Sequence, residues 1–402
     1  MKAPGLLPPA WLVVLGGVAA ALHVGKLPPA LPVLRDALDI GLVQAGFLLS
    51  LVQLAGMTLG LVAGLAADRI GLKRTMVAGL LLTGAASVLG GCVGTPALLL
   101  ALRALEGLGF LLASMPAPGL IRRLVPPERM SATLGVWGAY MPFATAAALL
   151  AGPAWMAWAG WRGWWWLLGG VSLALAGWLA AALPADPARP NAMPQQGSRV
   201  RLTLTARGPW LVACAFGVYS AQWLAVIGFL PSIYLAAGFA AGLAAVATAL
   251  AAAVNMVGNL ASGRLLQRGA SPQHLLATGF LAMGLGGFLA FSDVLGQGAA
   301  GAWGRYAAVL GFSMVGGVIP GTLFSLAVRL APSEHTVSAT VGWMQQWSAF
   351  GQFAGPPLVA SVAARAGGWQ WSWLVTGACA AAGLLLARSM GRLLAKGSRA
   401  GP

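Results

Sequence analysis

Apolar runs long enough to cross a lipid bilayer recur from one end of this chain to the other, and they constrain its fold more than any other feature. The first extends from Trp11 to about Val33, close to the roughly 20 apolar residues that one membrane-spanning helix needs. A chain of 402 residues with 59% hydrophobic and only 8% charged side chains cannot cover itself with a water-facing surface, since an ordinary soluble domain is about 25% charged. A soluble globular fold is therefore excluded, and lipid is the expected solvent. The N-terminus shows no small-residue cleavage pattern, so the first run reads as a retained span.

Punctuation by Gly, Pro and charge divides the chain into helices near 11–33, 44–66, 75–94, 97–121, 132–154 and 163–183. A second set follows near 209–235, 241–263, 273–295, 303–327, 337–363 and 369–390. The predicted fold class is an all-α integral membrane protein with twelve transmembrane helices in two six-helix pseudo-symmetric bundles. The first bundle occupies 1–183 and the second 209–402. The longest polar stretch, 184–208, reads as a flexible cytoplasmic linker between them.

Charge then gives an orientation. The chain has 24 Lys plus Arg against 8 Asp plus Glu. With the N-terminus in the cytoplasm, 18 of the 24 cations fall on one side, among them Arg69, Lys73, Arg74, Arg122, Arg123, Arg264, Arg268, Arg329 and Arg388. Only Arg35, Arg162, Arg305 and Arg365 lie on the other, and Lys26 and Arg103 remain within spans. This bias fits the positive-inside rule with both termini cytoplasmic in a bacterial-type inner membrane. Once orientation accounts for the charge, nothing points to nucleic acid. Cys92, Cys214 and Cys379 sit in apolar runs without disulfide or metal-ligand spacing. No phosphate loop, nucleophile elbow or metal motif argues for an enzyme, a metal or a cofactor.

The halves repeat at a spacing of about 206 residues. The segment RLVPPE from Arg123 matches RLAPSE from Arg329, SATLG from Ser131 matches SATVG from Ser338, Gly152-Pro153 matches Gly355-Pro356, and Gly160-Trp161 matches Gly368-Trp369. Two like-oriented bundles with a site between them near the bilayer midplane follow from such a repeat.

Between spans two and three the chain reads GLAADRIGLKR from Gly64 to Arg74, and GRLLQR from Gly263 is a degenerate second copy. This resembles the G-x-x-x-D-R-x-G-x-[KR]-[KR] signature of the major facilitator superfamily, and Arg103 with Gly107 is similar to the R-x-x-x-G pattern of its fourth span. The resemblance implies secondary transport by alternating access. It also implies a cytoplasmic gate formed by Gly64, Asp68, Arg69, Gly71, Lys73 and Arg74. Gly64 allows close helix approach, Asp68 can pair with a cation or a helix N-terminus, and Gly71 permits a tight turn.

Four ionisable residues lie well inside the spans: His23 and Lys26 in the first, Arg103 and Glu106 in the fourth. A Lys or Arg at a helix centre costs about 2.5 to 3.5 kcal/mol on insertion scales, so these side chains are expected to face the cavity. Lys26 and Arg103 lie roughly 10 Å from the external ends, and His23 and Glu106 roughly 15 Å. Each pair is spaced i,i+3 and shares a helix face. Lys26, Arg103 and Glu106 sum to one positive charge, which favours an anionic substrate bound by Lys26 and Arg103, with His23 or Glu106 coupling protons. The competing reading is a structural Arg103–Glu106 or Lys26–Glu106 bridge. A third possibility has Lys26 snorkelling outward where Pro28 and Pro29 end the helix early.

The second half offers polar, uncharged candidates. Gln345, Ser348 and Gln352 share a face of span eleven, Asn255 and Asn259 a face of span eight, and Gln222 and Trp223 stand in span seven. The span-seven string YSAQW from Tyr219, followed by GFLP from Gly228, is similar to the cyanate and nitroimidazole permease group of the superfamily, which handles small anions or small polar heterocycles. Substrate contacts are thus expected from Gln222, Trp223, Gln345 and Gln352. The resulting expectation is a monomer in the lipid bilayer that takes up a small anion with protons. Efflux of drugs or metabolites by proton exchange is the alternative. The fifth span keeps only Gly152-Pro153 of the exporters' G-x-x-x-G-P-x-x-G-G pattern, and the first has His23 and Lys26 where cation exporters carry an acid. The tryptophans from Trp155 to Trp166 and from Trp369 to Trp373 read as an interfacial aromatic belt.

Overall fold

A computed structural model of the chain describes residues 8–126, 133, 136–186, 196–296, 298–333 and 336–399. Among them are seventeen α-helices. The first half contains α1 (Pro9–Gly25), α2 (Leu27–Leu38), α3 (Leu42–Ser50), α4 (Leu54–Ile70), α5 (Leu72–Cys92), α6 (Pro96–Ser114), α7 (Ala117–Leu124) and α8 (Tyr140–Ala182). After α9 (Gln196–Thr205) come α10 (Arg207–Ala236), α11 (Ala241–Ala253), α12 (Asn255–Gln267), α13 (Pro272–Phe291), α14 (Ala299–Gly316), α15 (Val318–Arg329), α16 (Val337–Ala366) and α17 (Trp373–Arg399).

Ten helical runs among the described residues are long and apolar enough to cross a membrane, several of them formed by two consecutive helices. One of the ten, α8, has 43 residues, which at 1.5 Å each is twice a bilayer core. Its backbone leaves the helix at Gly160, where φ is 68° and ψ 174°, so the expected fifth and sixth spans meet at one glycine instead of across a loop. Helix α16 is a further span of 30 residues, made less apolar by Gln345, Gln346 and Gln352. The architecture is the expected twelve-helix one.

Within the expected linker, α9 is helical, with the hydroxyls of Thr203 and Thr205 donating back to Arg199 O and Arg201 O and the Trp210 indole capping Leu204 O. The matched residues Pro127, Glu128, Ser131, Ala132, Leu134, Gly135 and Glu334 lie outside the described residues.

Four spans are broken in corresponding places. The second bends through a 3-10 turn at Leu51–Gln53 and the eighth at Val254. The fourth breaks at Met115-Pro116 and the tenth at Gly317. Glycines let these spans cross closely: a Cβ on Gly107 would lie 2.2 Å from Val52 O, and one on Gly317 2.2 Å from Asn255 O. Across the halves, Gly46 of α3 abuts Pro357 of α16 and Gly228 of α10 abuts Leu49. Broken spans expose backbone and polar side chains where a cavity can satisfy them, and the cavity of this protein sits at these breaks.

Candidate functional site: a central cavity and a sealed charge cluster

Residues from both halves enclose a cavity of about 130 Å³, room for on the order of ten waters. Gln53, Phe110, Ser114, Trp137 and Tyr140 form the first-half wall, and Tyr219, Trp223, Asn255, Asn259, Gln345, Ser348 and Gln352 the second. By their places along the helices, these residues reach from the middle of the spans toward the ends that carry Ile70, Leu124 and Gln267. Trp137 and Tyr140, one turn apart, stack with ring centres 4.2 Å apart and planes 13° from parallel. Phe216 and Phe324 add an edge-to-face pair at 5.8 Å. Lys, Arg, His, Asp and Glu are all absent from the described lining.

Hydrogen bonds fix part of the second-half wall. Asn255 Nδ2 donates to Ser313 O at 2.8 Å and to the Tyr219 hydroxyl at 3.1 Å, while Asn259 Nδ2 donates to Asn255 Oδ1 at 2.9 Å. Trp223 Nε1 donates to Ser313 Oγ at 3.3 Å. Gln352 Oε1 accepts from Gln53 Nε2 across the halves at 2.9 Å, and the Ser220 and Ser348 hydroxyls lie 2.7 Å apart. The Gln345 amide and the Tyr140 hydroxyl are uncommitted among the described residues, and both stand in the cavity wall.

The four intramembrane ionisable residues do converge, as depth and i,i+3 spacing predict. Lys26 Nζ and Glu106 Oε1 lie 2.5 Å apart, Arg103 Nη1 and Glu106 Oε2 2.5 Å, and His23 Nδ1 and Glu106 Oε1 3.9 Å. Their position is not the expected one. All four are at most 1% exposed, and none lines the cavity. The interior of the first bundle supplies their partners instead. Ser87 of α5 accepts from Lys26 Nζ at 2.9 Å, Ser172 of α8 meets His23 Nε2 at 2.8 Å, and Arg103 Nη1 also donates to His23 O at 2.7 Å.

Lys26 does not snorkel. Its backbone stays helical at φ −66° and ψ −26°, its ammonium lies 4.4 Å from the Trp165 ring centre, and Trp164 Nε1 donates to its carbonyl. Pro28 and Pro29 remove amide donors without turning the chain outward, because α2 continues to Leu38. Trp164 and Trp165 are accordingly buried at 2% and 0%, and only part of the tryptophan set, such as Trp158 at 80%, faces outward. The belt expectation fails for the two that cover the cluster.

Of the other expected contacts, Trp223, Gln345 and Gln352 line the cavity, and Gln222 does not. Gln222 is fully buried on α10, and both of its amide atoms lack a hydrogen-bond partner among the described residues. Sequence reasoning missed Gln53, Trp137, Tyr140 and Gln346. Gln346 inserts its amide against α4, donating to Met57 O and accepting from Leu61 N, each at 2.9 Å. A lone polar residue in an apolar run was the available signal for Gln53, and the i,i+3 aromatic pair for Trp137 and Tyr140.

In the expected gate, Gly64, Asp68 and Arg69 lie on α4, and their side-chain positions fall outside the described residues. Gly71 adopts φ 107°, and a Cβ there would lie 2.3 Å from Asp186 Oδ2. The amides of Lys73 and Arg74 donate to the Asp186 carboxylate at 3.0 and 3.1 Å, Lys73 Nζ donates to Leu183 O at 2.6 Å, and Arg123 approaches Asp186 at 3.6 Å. An acid at the start of the linker thus caps the third span where its amides and dipole favour negative charge.

The sequence profile of the Major Facilitator Superfamily matches residues 13–356. The 2-nitroimidazole transporter of Escherichia coli K12 is 27% identical over 355 residues, covering 85% of this chain and 84% of that protein. An uncharacterized MFS-type transporter of Mycobacterium tuberculosis, Rv1250, is 30% identical over 45% of this chain, which spans only 32% of its length. The multidrug resistance protein MdtH of Yersinia pestis is 29% identical over 37% of each chain. A bacterial homologue of the human lysosomal transporter Spinster, solved in an inward-facing and unoccupied conformation, superposes with a TM-score of 0.73 at 14% identity, covering 97% of this chain and 99% of that one.

Proposed function

This chain belongs to the Major Facilitator Superfamily, and from that premise we propose that it carries a small, uncharged, polar heteroaromatic compound across the membrane by alternating access, coupled to protons. The observation that carries the substrate class is the described cavity wall, with a stacked Trp137–Tyr140 platform, amides from Asn259, Gln345 and Gln352, and no charged side chain. A flat ring gains from stacking and from hydrogen bonds to fixed amides. A bare anion would gain no countercharge there. The anion expectation rested on Lys26 and Arg103 facing the cavity, and they are sealed behind its wall. The 2-nitroimidazole transporter, similar over most of both chains, handles a compound of the favoured shape.

Uptake is the proposed direction, supported by the departures of the first and fifth spans from the exporter patterns. The asymmetry of 18 among 24 cations supports an inner membrane with both termini cytoplasmic. A single chain supplies both cavity walls, which supports a monomer. Asp186, Gly71, Lys73 and Arg74 form the gate-side contact that holds the first bundle's cytoplasmic loop.

The test is uptake of radiolabelled 2-nitroimidazole into proteoliposomes under an imposed pH gradient. Accumulation above that of protein-free liposomes when protons run inward, uncompeted by benzoate or cyanate, is the expected result. Competition by the anions would overturn the substrate class, and accumulation only under the opposite gradient would make the protein an exchanger.

A further inference from the structure

The charge cluster holds two obligate or potential cations, Arg103 and Lys26, around one carboxylate, Glu106. The described ionisable groups that face Lys26 are His23 on its own helix and Arg103 and Glu106 on α6. From α5 and α8 it meets only hydroxyl and indole groups, Ser87, Trp165 and, through His23, Ser172. Fully charged, this sealed site carries a net positive charge, and an uncompensated charge in a dry bundle is strongly disfavoured. One proton has a physical reason to leave.

Hydrogen-bond valence says which one. A guanidinium is a fixed cation in proteins. Glu106 accepts from both cations, so protonating it would weaken two charge-assisted bonds. Around Lys26 the arrangement is different. The Ser87 hydroxyl spends its proton on Trp165 O at 2.8 Å, so it can only accept from Nζ, as Glu106 Oε1 does. The remaining position on Nζ faces His23 Nδ1 at 3.4 Å. An ammonium donates a third proton to Nδ1. A neutral amine presents its lone pair instead and accepts from Nδ1–H, while His23 changes tautomer and the Ser172 hydroxyl, 2.8 Å from Nε2, reverses its direction. Both states keep every heavy atom in place.

We propose that Lys26, with His23 as its tautomeric partner, takes up and releases the coupled proton, and that Glu106 stays ionised as its fixed counter-charge. The step is Lys26–NH3+ going to Lys26–NH2 plus a proton to water when the bundle opens. It leaves the sealed cluster neutral. This rests on the proton-coupled reading above.

The chain has only four lysines, Lys2, Lys26, Lys73 and Lys396, so lysine labelled with 13C at Cε gives a resolvable spectrum of the full-length protein in nanodiscs, with Lys26→Met identifying its signal. The expected result is a Lys26 signal that moves from the ammonium to the amine position between mildly acidic and mildly alkaline pH. A signal fixed at the ammonium position throughout overturns the proposal. In proteoliposomes Lys26→Met should still exchange 2-nitroimidazole at equilibrium but no longer accumulate it under a pH gradient; gradient-driven accumulation equal to the parent protein's overturns it. Should Lys26→Met fold poorly, Lys26→Gln keeps an amide donor for Ser87 and Glu106 without a titratable amine, and equilibrium exchange and gradient-driven accumulation are read in the same way. A parent protein that ignores the gradient, while its Lys26 titrates, would count against the proton-coupled reading and not against the site of protonation.

Discussion

Lys26 and Glu106 form an ion pair, Nζ to Oε1 2.5 Å, that is at most 1% exposed and stands outside the lining of the central cavity. The pair ties α1 to α6 inside the first bundle and leaves the cavity wall free of charge. Charge and cavity lining therefore separate: the charges lie inside the first bundle, and rings and amides line the cavity.

Removing the counter-charge alone should be costly. Glu106→Gln leaves Lys26 and Arg103 buried without an anion, a change of about 3–5 kcal/mol when a buried pair is broken. The expected outcome is a large fall in thermal unfolding temperature and in yield from the membrane. Adding Lys26→Met removes one of the two unpaired cations and should recover part of it. A single variant as stable as the parent would show that the cluster is solvated.

Gln222 is the opposite case. A buried amide with neither donor nor acceptor satisfied costs about 1–3 kcal/mol, and Gln222 is outside the cavity wall. Gln222→Leu is expected to raise the unfolding temperature while uptake is unchanged. Loss of uptake with intact folding would return Gln222 to the substrate site.

Asp186 caps α5 through the amides of Lys73 and Arg74, and losing an N-cap costs about 0.5–2 kcal/mol. Asp186→Ala should raise hydrogen exchange at the amides of residues 73 and 74 more than elsewhere. Gly71→Ala, which forces a side chain into φ 107° and against Asp186, should do the same. Unchanged exchange in both would remove Asp186 from the gate.

Gln346 bridges Met57 O and Leu61 N across the two halves. A neutral hydrogen bond is worth about 0.5–1.5 kcal/mol, so Gln346→Ala should shift the balance between closed and separated α4 and α16. Spin labels on the two helices read this as a greater population at long distance. An unchanged distance distribution would make the contact incidental.

Much of this was legible in the sequence. The twelve spans followed from run length and punctuation, and the four-residue cluster followed from depth and i,i+3 spacing. Which way the cluster faces was not legible. A polar side chain on an apolar helix is equally sheltered by its own bundle or by the cavity, and the deciding partners, Ser87, Ser172 and Trp165, look unremarkable one at a time. The fifth and sixth spans fused because Gly160, at positive φ, turns the chain in a single residue. Asp186 was one acid in a polar linker, and only the fold brings it to Gly71.

Calorimetric titration of the purified protein with 2-nitroimidazole and, separately, benzoate reads directly whether an uncharged ring binds in a cavity without charge, at mildly acidic pH so that the ring N–H of 2-nitroimidazole stays protonated. 2-Nitroimidazole is expected to bind, with Trp137→Ala weakening it by roughly 2- to 10-fold through lost stacking and added salt having little effect. Tight, salt-sensitive binding of benzoate that survives Trp137→Ala but is lost in Arg103→Ala would contradict it.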